Sequence, residues 1–240
     1  MVEAMENKTD TLQQTVTRPD IQAAPKSMTS RIYAQLRNEI LAARLEPGSK
    51  LKIEDLRNSY GVGASPIREA LSLLASDHLV ERLDQRGFRV ADVSREEFAE
   101  LFKTRCWLEE RALRESIALG GPDWEEHVVL AAYRLANAPP PTSNGEIIPN
   151  SEREILHKAF HRALISACGS AILLRFCDQL YDQNIRYRIL SNLSAYPGRE
   201  KMGEHEAIKE AALAHDADLA VERLLDHYSR TGSYLTDRFG

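Results

Sequence analysis

Cysteine is scarce in this sequence: Cys106, Cys168 and Cys177 are the three in 240 residues. None stands in CxxC spacing, so neither a disulfide framework nor a thiolate zinc site is expected, which suits a reducing cytoplasm. Long apolar runs are missing as well. Nothing approaches the ~20 consecutive apolar residues that span a bilayer, so no membrane partner is expected. Nor is there an excess of positive charge: 31 Lys and Arg face 36 Asp and Glu, a net charge of −5. That balance argues against indiscriminate binding of polyanions. The opening stretch "MVEAMENKTDTLQQTVTRPDIQAAP" has no apolar core and does not read as a signal peptide. Residues 1–26 are expected to form a disordered polar leader.

What is present is ordinary for a protein with a packed core: 43% hydrophobic and 28% charged residues, in a length that allows one or two domains. The charge is unevenly spread. Lys26 to Asp92 carries 11 Lys and Arg against 9 Asp and Glu, while residues 93–240 carry 18 against 23. The less acidic part therefore lies near the N-terminus.

In that part, "SMTSRIYAQLRNEILAARLEPGSKL" starts with possible caps at Thr29 or Ser30. Ile32, Leu36, Ile40 and Leu41 then form a helical stripe that Pro47 and Gly48 end. The short "IEDLRNSYG" stops at Gly61, a plausible left-handed terminator. In "VGASPIREALSLLASDHLV", Ser65 is expected to cap and Pro66 to take the first helical position, with Ile67, Leu71 and Leu74 facing inward. "LVERLDQRGFRVADVS" reads as two strands around a turn with Gly87 at its tip. Two helices, a tight turn, a third helix and a β-hairpin in this order are the pattern of a winged helix-turn-helix over residues 27–92.

From Arg95 onward no convincing strand is expected. Helices are read near 95–120, 123–137, 151–168, 171–193, 200–215 and 216–236. The break "NAPPPTSNGEIIPN" is read as an extended loop. The fold class is thus mainly α, a winged helix-turn-helix followed by an all-α bundle of about six helices over 93–240.

In a helix-turn-helix the second helix of the motif enters the major groove, and its first turn meets base edges and phosphates. Here that turn supplies Ser65, Pro66 and Arg68, and Arg68 can fork onto a guanine or reach a phosphate. The hairpin offers Gln85, Arg86 and Gly87 for a minor groove or the backbone. Double-stranded operator DNA is the expected partner, bound by a homodimer whose two-fold axis matches operator symmetry.

The second constellation is histidine. His157 and His161 lie four residues apart in "LHKAFHRAL", one turn apart on the same helix face. His205 in "GEHEAIKEAAL" and His227 in "LLDHYSRT" lie on separate helices, and antiparallel bundle helices can converge such side chains. They are either a metal set or satisfied histidines at polar core positions; neutral imidazoles suit zinc, nickel, copper or iron(II). His78, His127 and His215 read as surface or turn residues.

The stretch "LEPGSKLKIEDLRNSYGVGASPIREALSLLASDHLVERLDQRGFRVADVS" resembles the DNA-binding domain of the GntR family of bacterial transcription regulators. It departs from the family pattern at Ala64 and Glu54, where many members carry arginine, so direct readout rests more on Arg68 and the hairpin. Residues from about 94 to 236 resemble the helical FCD-type effector domain of the FadR subfamily, through "RCWLEERAL", "FHRALISACGS", "RYR", "EHEAI" and "DHYSRT". The resemblance implies a divalent metal held by His157, His161, His205 and His227. An acidic or amide residue is commoner in the family at the first of these positions. A fourth imidazole softens the set and favours zinc or nickel.

The resemblance further implies that Arg105 points into an effector pocket, where a guanidinium beside a metal clamps a small carboxylate. The competing reading is a surface Arg105–Glu109 pair at i,i+4. Arg186 and Arg188 are weaker effector-binding candidates, one facing the pocket or the dimer interface. The expected function is a cytoplasmic DNA-binding regulator, by family habit a repressor, controlled by a small organic acid. A purely structural metal is the alternative. A metal-dependent enzyme is disfavoured because no HExxH or other base-bearing motif accompanies the histidines.

Overall fold

The computed structural model describes residues 27–84, 86–139, 142–143, 146–147, 152–192 and 201–238. The expected leader 1–26 and the candidate Gln85 lie outside them. The first helix, α1 (Met28–Leu41), is capped by Ser27, whose side chain accepts from the Ser30 N–H at 3.1 Å. The cap therefore precedes the expected Thr29 or Ser30, because one of the helix's free N–H groups belongs to Ser30 itself. A two-residue strand β1 (Lys50–Leu51), too short to leave a period in the sequence, precedes α2 (Ile53–Tyr60). Gly61 ends α2 in the left-handed region at φ 64°, where a side chain would be strained.

Next come α3 (Ala64–Ser76), β2 (Val80–Leu83) and β3 (Gly87–Val90). Gly63, not Ser65, sits at the α3 N-cap. Pro66 falls within the first turn, where a missing N–H still costs nothing, and the Ser65 hydroxyl turns to Glu69 at 3.3 Å. Gly87 pairs with Leu83 and opens β3 at φ 92° instead of forming the tip. Both β1 and β2 pair antiparallel with β3, giving the order β1-β3-β2. Ile32, Leu36, Ile40, Ile67, Leu71, Leu74, Val80 and Val90 bury their side chains in one cluster. This is the winged helix-turn-helix.

After the irregular stretch 91–94, six helices follow among the described residues: α4 (Arg95–Leu119), α5 (Pro122–Ala136), α6 (Glu152–Leu164), α7 (Ala171–Asn192), α8 (Lys201–Leu213) and α9 (Ala217–Arg238). Between α5 and α6, β4 (Thr142–Ser143) and β5 (Glu146–Ile147) pair antiparallel, a strand pair the sequence reading did not foresee. Two residues each are too few to show a period of two. The α6 helix stops at Leu164, earlier than expected, because Ser166 N–H tightens onto the Ala163 carbonyl at 3.2 Å.

The bundle packs α4 against α7 and α9, α5 against α6, and α8 against α9. Leu113, Val128, Phe160, Leu164, Ile208 and Leu224 fill its core. The Trp124 indole ties α5 to α6 by donating to the Ala163 carbonyl at 3.0 Å. Among the described residues no helix is long and apolar enough to cross a membrane.

Helix α7 serves both parts of the chain. Tyr181, Ile185 and Ile189 join the winged-helix cluster, while Asn184 and Arg188, offset from them, face α4 and α6.

Candidate functional site

The same-face spacing of His157 and His161 on α6 sets their rings 4.6 Å apart between centroids. Helix α8 brings His205 to 4.9 Å from His157, and α9 brings His227 to 4.7 Å from His205. One nitrogen from each of the four rings can be chosen so that all lie within 4.8 Å of one another. His161, His205 and His227 are buried and His157 partly so. Burial holds His157 and His161 far below the ordinary imidazole range, with Arg188 adding to the effect at His157 and His227 adding to it at His161. Both rings are therefore neutral, the form that donates a lone pair to a metal.

Three of the four rings are engaged through Nδ1. His157 Nδ1 meets the Tyr181 hydroxyl at 2.7 Å, His161 Nδ1 meets the Tyr228 hydroxyl at 3.1 Å, and His227 Nδ1 meets Glu204 at 2.7 Å. His161 Nε2 is buried without a hydrogen-bond partner among the described residues. An orphaned buried nitrogen facing three other imidazoles fits a divalent metal bound through Nε2, with the Nδ1 contacts as the outer support such ligands require.

Arg105 lies beside this cluster and is not at the surface: it is 6% exposed and Glu109 is 2% exposed. Its Nε donates to Glu109 at 2.6 Å and its Nη1 to Asn184 at 3.0 Å. The guanidinium stacks 4.1 Å from the Tyr228 ring centroid and 5.0 Å from that of Tyr181. Its Nη2 is buried with no hydrogen-bond partner among the described residues. The i,i+4 pair with Glu109 does form, but inside the bundle, and it leaves one donor to spare.

The two weaker candidates separate. Arg188 donates to Glu154 and sets Nη1 3.1 Å from His157 Nδ1, at the cluster. Arg186, half a turn away, donates to the Ala91 carbonyl in the stretch that joins β3 to α4. The structure thus brings Arg105 and Arg188 to the histidines and places Arg186 at the junction.

Sequence reasoning missed Glu109 as a buried partner, and Tyr181, Tyr228, Glu154, Glu204 and Asn184 altogether. The tyrosines carry no spacing signal of their own, since Tyr228 meets Glu109 across 119 positions of sequence.

In the winged helix, Ser65 and Arg68 are exposed on the first turns of α3, and Pro66 is half-buried beside them. Arg86 and Gly87 are exposed at the hairpin.

The family described as "Bacterial regulatory proteins, gntR family" matches residues 28–90, and the family described as "FCD domain" matches residues 100–230. The uncharacterized HTH-type transcriptional regulator BphR of Paraburkholderia xenovorans is 40% identical over 202 residues, covering 84% of this chain and 82% of that one. The HTH-type transcriptional repressor GlaR of Escherichia coli is 33% identical over 199 residues, covering 81% and 90%. Among solved structures, McbR/YncC of E. coli superposes with a TM-score of 0.70 over 89% of this chain and 99% of that one; at 19% identity this speaks to the fold. The chain belongs to the GntR family of bacterial DNA-binding transcriptional regulators and carries an FCD domain after its helix-turn-helix.

Proposed function

We propose that this regulator is a metal-dependent sensor of a small carboxylate and acts as a cytoplasmic repressor. The observation that carries the reading is the convergence of His157, His161, His205 and His227 within 4.8 Å. They would hold a divalent ion, zinc or nickel by donor softness. The ion would supply a Lewis-acidic anchor for a carboxylate oxygen. The spare Nη2 of Arg105 would take a second oxygen of the same ligand, and Arg188 would border it at His157.

Ser65, Pro66 and Arg68 on α3, with Gln85, Arg86 and Gly87 of the hairpin, would read the operator as a homodimer. Repression, and not activation, is supported by the relative GlaR, which is named as a repressor. The ligand would act by binding one arrangement of the DNA-reading domains better than another, a coupling of typically ~1–3 kcal/mol.

A second reading has its own observation. Four imidazoles are enough to close a tetrahedral structural zinc site, and a metal so bound would hold the bundle together without any effector. Melting the purified protein, with metal content recorded, against mono-, di- and hydroxy-carboxylates separates the two. A ligand specific to the folded state adds ~2.7 kcal/mol at a hundredfold over its dissociation constant. The sensor reading requires a stabilising acid whose effect is lost in Arg105→Ala and in His161→Ala. Full metal occupancy with no acid shifting the melt assigns the metal to structure.

A further inference from the structure

Two outer chains of the same make-up reach the histidine cluster from different helices. In one, Glu109 of α4 accepts from the Tyr228 hydroxyl of α9, which meets His161 Nδ1 at 3.1 Å. In the other, Glu154 of α6 accepts from the Tyr181 hydroxyl of α7 at 3.2 Å, and that hydroxyl meets His157 Nδ1 at 2.7 Å. An arginine secures each carboxylate: Arg105 holds Glu109 at 2.6 Å, and Arg188 holds Glu154. The order is Arg, Glu, Tyr, His in both.

Hydrogen-bond direction along such a chain follows from its carboxylate end. An ionised carboxylate only accepts, so the phenol gives it its single hydrogen. The phenol oxygen then has only lone pairs left for the imidazole, and the imidazole nitrogen facing it must carry the hydrogen. A neutral ring has one N–H, so Nε2 is left bare. At His161 that bare Nε2 is the buried atom with no partner among the described residues.

The two chains differ in what the arginine reaches beyond its carboxylate: Arg188 also bonds the Tyr181 side chain and stands against the histidine. Arg188 Nη1 stands 3.1 Å from His157 Nδ1. A guanidinium can only donate. It therefore favours the opposite tautomer at His157, with the hydrogen on Nε2, where it would block ligation. Arg105 makes no such contact with His161; its Nε and Nη1 go to Glu109 and Asn184.

We propose that Tyr228, held by Glu109, is a positioning residue that locks His161 in the Nδ1–H tautomer as an unconditional metal ligand, whereas Arg188 leaves His157 divided between tautomers as a conditional one. This deepens the metal reading above and rests on it only for the consequence in metal affinity. The tautomers themselves are properties of the metal-free protein.

The experiment is long-range proton–nitrogen NMR of the histidine rings in the metal-free full-length protein, followed by zinc titration against a competing chelator. His161 is expected wholly as Nδ1–H and His157 as a mixture. In Tyr228→Phe the His161 signals are expected to move toward a mixture and zinc affinity to fall by about ten- to a hundredfold, the usual cost of losing an outer partner. Glu109→Gln gives an independent arm. An amide can donate to the phenol, turn its hydrogen onto His161 Nδ1 and move the His161 hydrogen to Nε2.

Wild-type His161 found as Nε2–H overturns the proposal whether or not either variant folds. So does unchanged zinc affinity in a folded Tyr228→Phe. If the wild type shows the expected tautomers but takes up no zinc, the lock stands and the metal reading falls.

Discussion

Arg37 of α1, in the DNA-binding domain, is ion-paired with Asp182 of α7. The same carboxylate accepts from Lys158 at 2.6 Å, and Lys158 follows His157 directly on α6. Asp182 thus connects the helix that carries two of the histidines to the first helix of the winged domain. One residue on, Gln183 reaches the Asp77 carbonyl at the end of α3, at 3.5 Å. All three side chains are part-buried, so the shared carboxylate supports the packing of α1, α6 and α7 as well as linking them.

Asp182→Asn is accordingly expected to lower the melting temperature, since it strips both part-buried cations of their partner. It should leave metal content and carboxylate binding intact while reducing the ligand-dependent change in operator affinity. Fluorescence anisotropy with labelled operator, with and without the stabilising acid, reads the difference. An undiminished response in Asp182→Asn would put the coupling elsewhere along α7.

The pH dependence of the metal-free protein has a definite sign. His157 and His161 are held below the ordinary imidazole pKa by burial first and by nearby positive charge second. As pH falls through about 6.5 the unfolded chain takes up protons on these rings and the folded chain does not. The stability they allow is fully present above that pH and is lost as pH drops below it. Thermal melts of the metal-free protein from about pH 8 to pH 5 should decline on the acid side. His161→Ala should flatten part of that decline, and an equal slope in the variant would contradict the assignment.

The α4–α5 turn provides a prediction about packing alone. A Cβ built on Gly120 would stand 2.3 Å from the Trp124 ring and 2.5 Å from the Ser116 carbonyl oxygen. The Trp124 indole is fixed by its bond to Ala163 and cannot retreat without breaking it. Gly120→Ala should therefore destabilise the bundle by about 1–3 kcal/mol, the usual range for overpacking. Urea unfolding followed by tryptophan fluorescence measures it directly, and a neutral result would mean that the turn can open.

How much of this was legible in the sequence depended on the range of the signal. The helices were readable because the apolar period and the Gly and Pro stops are local, as in α1 from Ile32 to Leu41 and the end of α2 at Gly61. The histidine set was readable because an i,i+4 pair survives any tertiary arrangement, and the family resemblance located the other two. Arg186 and Arg188 could not be told apart. Helix α7 is packed on both sides, so its pattern does not say which face meets the cluster and which meets Ala91. The phenols were beyond reach for another reason. Tyr228 matters because α9 lies against α4, and no local pattern encodes a contact with Glu109 at a separation of 119. The strand β1 was missed because two residues hold no period, and its pairing to β3 is a long-range event.

The DNA-reading surface is tested by the contrast between Arg68 and Arg86. Both are exposed, but Arg68 projects from the first turns of α3, the element proposed to enter the major groove, and Arg86 from the hairpin. Base-edge contact is worth about 1–3 kcal/mol of discrimination, whereas a phosphate or backbone contact weakens every sequence alike and lowers the salt slope by about one. Arg68→Ala is expected to lower operator affinity and relax preference at one base pair in each half-site. Arg86→Ala should lower affinity for operator and unrelated DNA together. Neither substitution touches the cluster of Ile67, Leu71 and Leu74, so both variants should melt as the wild type does. Anisotropy titrations on the operator, on single-base variants and at several salt concentrations distinguish the two roles. Unchanged affinity in Arg68→Ala would remove that residue from the interface, and the operator would then have to be read from α2 or from the hairpin alone.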